Sequence, residues 1–139
     1  MTKMDEKVAA YTSPGEIHRL DFILEGEIRF GPMYYKLKLD GKWVKDRIFG
    51  LAFTWHLEST YLALQEWLTT SYPKGPMTAL TIVDLSTQRF ARISKAEQGF
   101  IKPLRFIGES IIFQKEYLTS GKTVEYEINY THINNWEKA

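Results

Sequence analysis

The chain has 139 residues, a length that suits one domain, and its 44% hydrophobic and 25% charged residues exclude a disordered chain. The formal net charge is +1, and positive and negative residues are mixed along the chain. The chain therefore lacks the overall positive charge that binding to nucleic acid or to an anionic membrane favours. The lack of cysteine excludes disulfides, thiolate nucleophiles and zinc fingers. Because neither a signal peptide nor a bilayer-spanning apolar run is found, we expect a cytoplasmic protein without membrane association.

The N-terminal part shows no hydrophobic periodicity. Residues 1–15 end in the turn signal Ser13-Pro14-Gly15, and we expect them to be a lead-in segment with a short helix over Asp5–Tyr11. From residue 16 onward hydrophobic residues recur with a period of two, which is typical of β-strands. A single antiparallel β domain is therefore predicted over residues 16–139.

The clearest hairpin is predicted around Asp40-Gly41. This dipeptide favours a type I′ turn, because both central residues of that turn need a positive φ. A two-residue turn at this place pairs Lys38 with Trp43 and puts the lysine over the indole ring.

The stretch 53–68 fits two different structures. Its hydrophobic residues from Leu57 to Leu68 have helical spacing, whereas Tyr61–Trp67 also fits a strand that follows a turn at Glu58-Ser59. We favour the strand because the segments on both sides alternate with a period of two.

Further hairpins are predicted around Leu85-Ser86-Thr87 and Gly108-Glu109, and Lys122–Thr131 alternates most regularly of all. Roughly eight to ten short strands, with a turn about every 8–12 residues, predict an all-β fold. We expect a single-domain antiparallel sandwich or half-barrel with at most one short helix. The core is expected to contain Leu20, Phe22, Leu37, Val44, Ile82, Phe106, Ile111, Phe113, Val124, Tyr126 and Ile128.

No catalytic, metal or cofactor motif occurs in the sequence. His18 and His132 would form an acid–base pair only if a closed barrel brought them together, as a ribonuclease would need. His56 and Glu58 fit a turn-stabilising role better than a catalytic one. Carboxylate clusters with metal-ligand spacing, a nucleophile elbow and a phosphate-binding loop are missing from the sequence. We therefore expect neither an enzyme nor a metal nor a cofactor.

Two sets of residues are candidates for binding a partner. The first lies in the basic-aromatic stretch 34–47, where cations and rings suit a protein hot spot or, less favoured, single-stranded nucleic acid. The second is the acidic face of the last long strand, which suits a basic partner. A solvated strand face is the alternative interpretation of both sets. The candidate residues are Tyr34, Lys36, Lys38, Trp43, Lys45, Arg47, Glu116, Glu125 and Glu127.

The segment 53–93 resembles one blade of a β-propeller. Phe53-Thr54-Trp55, then Tyr61–Leu64 and Leu80–Thr87, follow the blade's order of an aromatic strand, a tight turn and two further strands. A closed propeller needs about four or more blades, for which the chain is too short. The resemblance therefore implies a blade-like antiparallel sheet.

The chain as a whole resembles small cytoplasmic bacterial immunity proteins, which are single-domain, aromatic-rich and free of catalytic motifs. This resemblance implies a non-catalytic protein-binding module that neutralises a cognate toxin by occluding its active site. It assigns no individual residue, and the chain departs from the many nuclease-neutralising proteins that are acidic. Two alternatives stay open, a small-ligand carrier with a β-barrel cavity and a single-stranded nucleic-acid-binding domain.

Overall fold

The structure, a computed structural model, describes residues 6–28, 32–71 and 73–138. These residues form twelve strands and two 3₁₀ turns, Pro14–Glu16 and Tyr130–His132, so the fold is all-β as predicted. The strands are β1 (Glu6–Thr12), β2 (Arg19–Glu27), β3 (Met33–Leu39), β4 (Lys42–Trp43), β5 (Ile48–Trp55), β6 (Tyr61–Trp67), β7 (Met77–Asp84), β8 (Arg89–Glu97), β9 (Gly99–Ile107), β10 (Ser110–Tyr117), β11 (Thr123–Asn129) and β12 (Glu137–Lys138).

The strands form one large and one small antiparallel sheet. The large sheet has the order β1-β2-β3-β5-β6-β7-β8-β12, with β4 paired to β3, and the small sheet has the order β11-β10-β9. Gln98 alone joins β8 to β9, with a φ of +54°. From this turn β9 crosses β5, β6 and β7, which places the small sheet on one face of the large one.

The large sheet curls strongly. The rings of Tyr11 on β1 and Phe53 on β5 lie 4.7 Å apart although two strands separate β1 from β5 in the sheet. Gln88, between β7 and β8, donates a hydrogen bond at 3.2 Å to Asp40, between β3 and β4. Strands that are distant in the sheet order are therefore close in space, as in the predicted half-barrel.

Two hydrophobic cores lie on the two faces of the central strands. The first core is formed by residues of the curled sheet, and the second lies between β6–β8 and the small sheet. The first core contains Leu20, Phe22, Tyr35, Leu37, Leu39, Val44, Phe49, Leu62, Leu64, Val83, Leu85 and Phe90. The second contains Ala63, Leu80, Ile82, Ala96, Ile101, Ile111 and Phe113, with Phe106 and Ile128 partly buried against it.

The prediction that Val124 and Tyr126 belong to the core is wrong. Their exposed fractions are 38% and 37%. The alternation of β11 is real, but β11 is the outer strand of the small sheet. Ile128 packs against the second core and the Tyr126 ring stacks on Phe113, yet six of the seven residues stay exposed. A period of two shows which residues share a face, not whether anything covers that face.

The prediction of a lead-in segment over 1–15 with a helix over Asp5–Tyr11 is wrong for the described residues. Glu6–Thr12 is a strand that pairs along its length with β2, so it belongs to the large sheet. Asp5 lies outside the described residues. The sequence of β1 alternates only weakly. As an edge strand, β1 is attached to the sheet by backbone hydrogen bonds to β2, and these do not depend on hydrophobic side chains.

Two predictions about the middle of the chain are confirmed. Asp40 and Gly41 have φ values of +52° and +80°, and Lys38 pairs with Trp43 across the turn. The ambiguous segment 61–67 is a strand. The blade-like segment consists of the end of β5 followed by β6, β7 and most of β8, joined as consecutive antiparallel neighbours.

Candidate binding surfaces

A buried carboxylate between two arginines forms the floor of the first candidate surface. Glu66 on β6 is 1% exposed, and its Oε1 accepts a hydrogen bond from Arg47 Nη1 at 2.9 Å. Arg92 Nε donates to the same oxygen at 3.1 Å, and its Nη2 donates to Oε2 at 2.6 Å. The hydroxyl of Thr81 donates to Oε1 at 2.7 Å. This dense set of partners compensates for the loss of hydration that a buried carboxylate suffers.

The strand periodicity explains why Glu66 is buried. Leu62, Leu64 and Glu66 share the face of β6 that lies in the first core, and Arg92 lies on the same side of β8 as Phe90. The hydrogen bonds to Glu66 raise the pKa of Arg92 above its ordinary value. The guanidinium group of Arg92 therefore stays charged at any physiological pH.

Arg47 is held by two further contacts. Its guanidinium carbon lies 5.1 Å from the centre of the Phe90 ring, and its Nη2 donates to Glu137 of β12 at 3.2 Å. Its side chain is only 10% exposed. Arg47, predicted as a partner-binding residue, therefore has most of its side chain occupied by the ion pair with Glu66.

An open groove of about 1030 Å³ lies above this cluster. It brings together four of the predicted basic-aromatic residues, Lys36, Trp43, Lys45 and Arg47. Lys38 lies beside it, with its ammonium group 4.6 Å from the centre of the Trp43 ring. The other lining residues are Glu25, Val44, Asp46, Ile48, Glu66, Trp67, Leu68, Thr69, Thr70 and Arg92.

Most of the groove's rim is already paired. Lys36 forms an ion pair with Glu25 at 3.1 Å and also lies 5.2 Å from the centre of the Trp43 ring. Tyr34, also predicted for this surface, does not line the groove. Its hydroxyl lies against Gly26, where a Cβ atom would come within 2.5 Å of it. The close approach of the tyrosine to the backbone needs a glycine at this position.

Sequence reasoning missed the two residues that organise the groove, Glu66 and Arg92. A signal was present, since Glu66 continues the series Leu62, Leu64 on a face that is otherwise apolar. A charged residue at such a position has to be paired if the strand is buried on both faces. Which residues pair with Glu66 could not be known from the sequence, because the curl of the large sheet brings them to it.

The second candidate surface is the outer strand β11. Glu125 and Glu127 share one face, and Glu116 lies on the same face of β10, one diagonal step from Glu125. Glu125 is 3.6 Å from Arg105, and both side chains are more than half exposed. The predicted acidic face therefore exists. Glu116 also borders a separate cavity of about 350 Å³ next to Trp67.

The opposite face of β11 carries apolar side chains. The Tyr126 ring stacks on Phe113 at 5.5 Å, and Lys115 lies 5.1 Å from its centre. A hydrogen bond with the hydroxyl of Tyr126 raises the pKa of Tyr117. Both faces of β11 are thus exposed over most of its length. The apolar face is covered only at the end of the strand, where Ile128 packs against the second core.

The three histidines have separate environments. His18 Nδ1 lies 2.7 Å from an Asp40 carboxylate oxygen. His56 Nδ1 accepts a hydrogen bond from the backbone N–H of Glu58, as expected for a turn-stabilising role, and its Nε2 is 3.3 Å from the Tyr130 hydroxyl. His132 is exposed at the end of the second 3₁₀ turn. The contacts of His18 and His56 are those of residues that stabilise turns and packing.

Within 6–28, 32–71 and 73–138, no group of three or more His, Asp or Glu side chains is arranged to hold a metal ion. The same residues contain no helix with the length and hydropathy needed to cross a membrane. Comparison of the chain with protein-family models, with curated proteins and with solved structures found no match.

Proposed function

We propose that this chain is a non-catalytic protein-binding module that docks a basic protein along β11, and that it acts as an immunity protein by covering the active site of a cognate toxin. The observation that carries the proposal is the exposure of β11. Six of its seven residues are exposed, and they lie on both faces of the strand. The side chains of this strand are therefore accessible to a partner.

The outer edge of β11 suits the addition of a partner strand. Within the described residues β11 pairs with β10 alone, and this pairing has no register shift over seven residue pairs. Natural proteins protect such edges with charged side chains, proline or a bulge. Thr123–Asn129 contains neither a proline nor a bulge, and its charged side chains are Glu125 and Glu127, which a basic partner would pair. Backbone hydrogen bonds to a partner strand supply affinity, and the side chains on both faces supply specificity.

The charge of β11 selects the partner. Thr123–Asn129 carries two carboxylates, Glu125 and Glu127, and no cation. Val124 and Tyr126 present exposed apolar area on the other face, where a tyrosine is a typical anchor of a protein interface. A basic protein segment fits both features, because complementary charge accelerates association and excludes acidic competitors. The active-site surface of a toxin that acts on nucleic acid has this positive charge.

The two alternatives have less support. The face that a β-barrel carrier would use for its ligand is filled here by the side chains of the first core. For single-stranded nucleic acid, rings must be free to stack on bases, whereas Trp43 already has Lys36 and Lys38 against its ring. We place the function in the cytoplasm, which agrees with a cysteine-free chain.

The test uses the purified chain and the protein encoded by the neighbouring gene as the candidate toxin. We expect a 1:1 complex by size-exclusion chromatography and protection of cells that express the toxin. The double variant Glu125→Lys/Glu127→Lys should weaken the complex about tenfold or more, since it replaces two attractive charges by repulsive ones. Glu58→Lys/Glu97→Lys is the matched control, because it makes the same charge change at exposed sites away from β11.

Three results would overturn the proposal. One is the absence of both a complex and protection of cells. The second is an equal loss of affinity in the β11 variant and in the control, which would point to net charge rather than to this strand. The third is a dimer of the chain itself that the β11 variant dissociates, because the edge would then serve self-association.

A further inference from the structure

A second site, separate from β11, lies where the β4–β5 loop, β8 and β12 meet. A cavity of about 380 Å³ is lined there by Lys45, Asp46, Arg47, Arg92 and Lys138. Four cations from three elements thus surround one small space that contains a single lining carboxylate. We propose that this cavity binds the phosphate group of a small phosphorylated ligand.

The two arginines are oriented in advance. Arg92 uses Nε and Nη2 on Glu66, which leaves Nη1 without a hydrogen-bond partner among the described residues. Arg47 uses Nη1 on Glu66 and Nη2 on Glu137. Because Glu66 fixes both guanidinium groups, a ligand does not have to pay the side-chain entropy of ordering them. Two guanidinium groups held together match the oxygens of a phosphate.

The remaining charges favour an anion with more than one negative charge. The carboxylate of Glu66 lies beneath the two guanidinium groups and is neutralised by them. Lys45 and Lys138 form no ion pair within the part of the chain that the structure describes. The four lining cations, offset by Glu66 and Asp46, leave a charge of +2, and of +1 while Glu137 stays in place. A phosphate monoester carries nearly two negative charges at neutral pH, so it matches the charge left when Glu137 is displaced better than a carboxylate does.

Glu137 shows that an oxyanion fits beside Arg47. Its Oε2 accepts the Arg47 Nη2 hydrogen bond at 3.2 Å, yet its side chain is 72% exposed. An ion pair with so exposed a carboxylate is weak, so a phosphate oxygen can replace it. Glu137 is therefore a competitor of the ligand, and its removal should strengthen binding.

The groove above limits what else the ligand contains. The small cavity and the groove of about 1030 Å³ share Lys45, Asp46, Arg47 and Arg92, so an organic group attached to the phosphate has room to extend. Trp43 holds two lysine ammonium groups against its ring. We therefore expect the phosphate to supply most of the affinity and an attached base to add little.

The experiment is an NMR titration of the full chain with inorganic phosphate at constant ionic strength, with ribose 5-phosphate, AMP and a phosphoserine peptide as further arms. We expect saturable shifts around Lys45, Arg92 and Lys138, and similar affinities for ribose 5-phosphate and AMP. Lys45→Gln and Arg92→Gln should each weaken binding about tenfold, the loss typical of one charge-assisted hydrogen bond. Glu137→Gln should tighten binding about twofold or more.

Lys122→Gln is the control, since it removes a cation beside β11 and should leave the affinity unchanged. Lys45 is exposed and its variant keeps the proposal testable if Arg92→Gln fails to fold. An equal effect of Lys122→Gln and Lys45→Gln, or no saturable shifts at the cavity, would overturn the site. A phosphoserine peptide that binds more tightly than ribose 5-phosphate would overturn its assignment to a small ligand. The β11 variants should bind phosphate normally, so the two proposals fail independently.

Discussion

Asp40 shows how one turn residue ties distant parts of the chain together. Its carboxylate accepts the backbone N–H of Arg19 at 2.8 Å, and it also contacts His18 and the side-chain amide of Gln88. Burial alone would raise the pKa of Asp40, but the hydrogen bonds from Arg19 and His18 outweigh burial and hold it below its ordinary value. The ionised carboxylate is therefore more stable in the folded chain than in the unfolded one.

This lowered pKa predicts a pH-dependent contribution to stability. The contribution is complete above the unfolded-state pKa of about 3.9 and is lost as the pH falls through the lower, folded-state pKa. Asp40→Asn keeps a residue that suits the type I′ turn and removes the charge. We expect it to lower the free energy of unfolding by about 1 kcal/mol at pH 7 and by much less near pH 2. Urea denaturation at both pH values measures this.

Asp46→Asn is the matched control for this prediction. Asp46 also has a positive φ, of +59°, and lies in a turn, but no hydrogen bond to its carboxylate is found in the described part of the chain. Its variant removes a turn carboxylate without removing a hydrogen bond, so it should change stability little at pH 7. A cost of Asp40→Asn that does not depend on pH would contradict the assigned role of the charge.

At the scale of elements, Gly50 determines how β5, β6 and β9 fit together. The ladder between β5 and β6 is interrupted between Phe49 and Phe53. The side chain of Gln65 occupies the space beside Gly50 that a Cβ atom would need, and its Nε2 donates to the carbonyl oxygen of Ile101 at 2.9 Å. A glycine on β5 thus lets a side chain of β6 reach the small sheet.

Gly50→Ala should therefore destabilise the protein by about 1–3 kcal/mol. The new methyl group displaces the side chain of Gln65, and the buried carbonyl oxygen of Ile101 loses this hydrogen bond. Thermal and urea denaturation measure this loss. In the background of Gln65→Ala the same glycine substitution should cost much less, since the overlapping side chain is gone. Strictly additive losses in this double-mutant cycle would refute the explanation.

The strands themselves were largely predictable, and their burial was not. The Asp40-Gly41 hairpin and the alternation of β11 follow from turn chemistry and from the period of two, which are local properties. Burial of Val124 and Tyr126 was wrongly expected because it depends on whether a second sheet lies above that face. The same limitation hid the pairing of Glu66, whose partners Arg47 and Arg92 are separated from it by 19 and 26 residues.

For the whole molecule, the arrangement of two cores around β6 and β7 predicts where the fold is most stable. Leu62–Trp67 and Thr78–Val83 are buried throughout, since the first core covers one of their faces and the second core the other. We expect these two strands to show the slowest amide hydrogen exchange, close to the rate set by global unfolding. The outer strands β1, β11 and β12 should exchange faster by local opening.

Hydrogen exchange followed by mass spectrometry measures this order strand by strand. Addition of the partner should slow exchange in β11 and leave β6 unchanged if β11 is the docking strand. Protection of β11 as strong as that of β6 in the isolated chain would contradict the description of β11 as an outer strand without a covering layer.

The all-β class, the hairpin turns and the faces of the strands were predictable from local sequence, because they depend on φ preferences and on side-chain alternation between neighbouring residues. Three features became visible only in the folded chain: Glu6–Thr12 joins the sheet, Glu66 is buried between two arginines, and β11 has no covering layer. These features depend on contacts between residues far apart in the chain. Such contacts arise from the curl of the large sheet and the crossing of β9, and a single sequence carries no local signal for either.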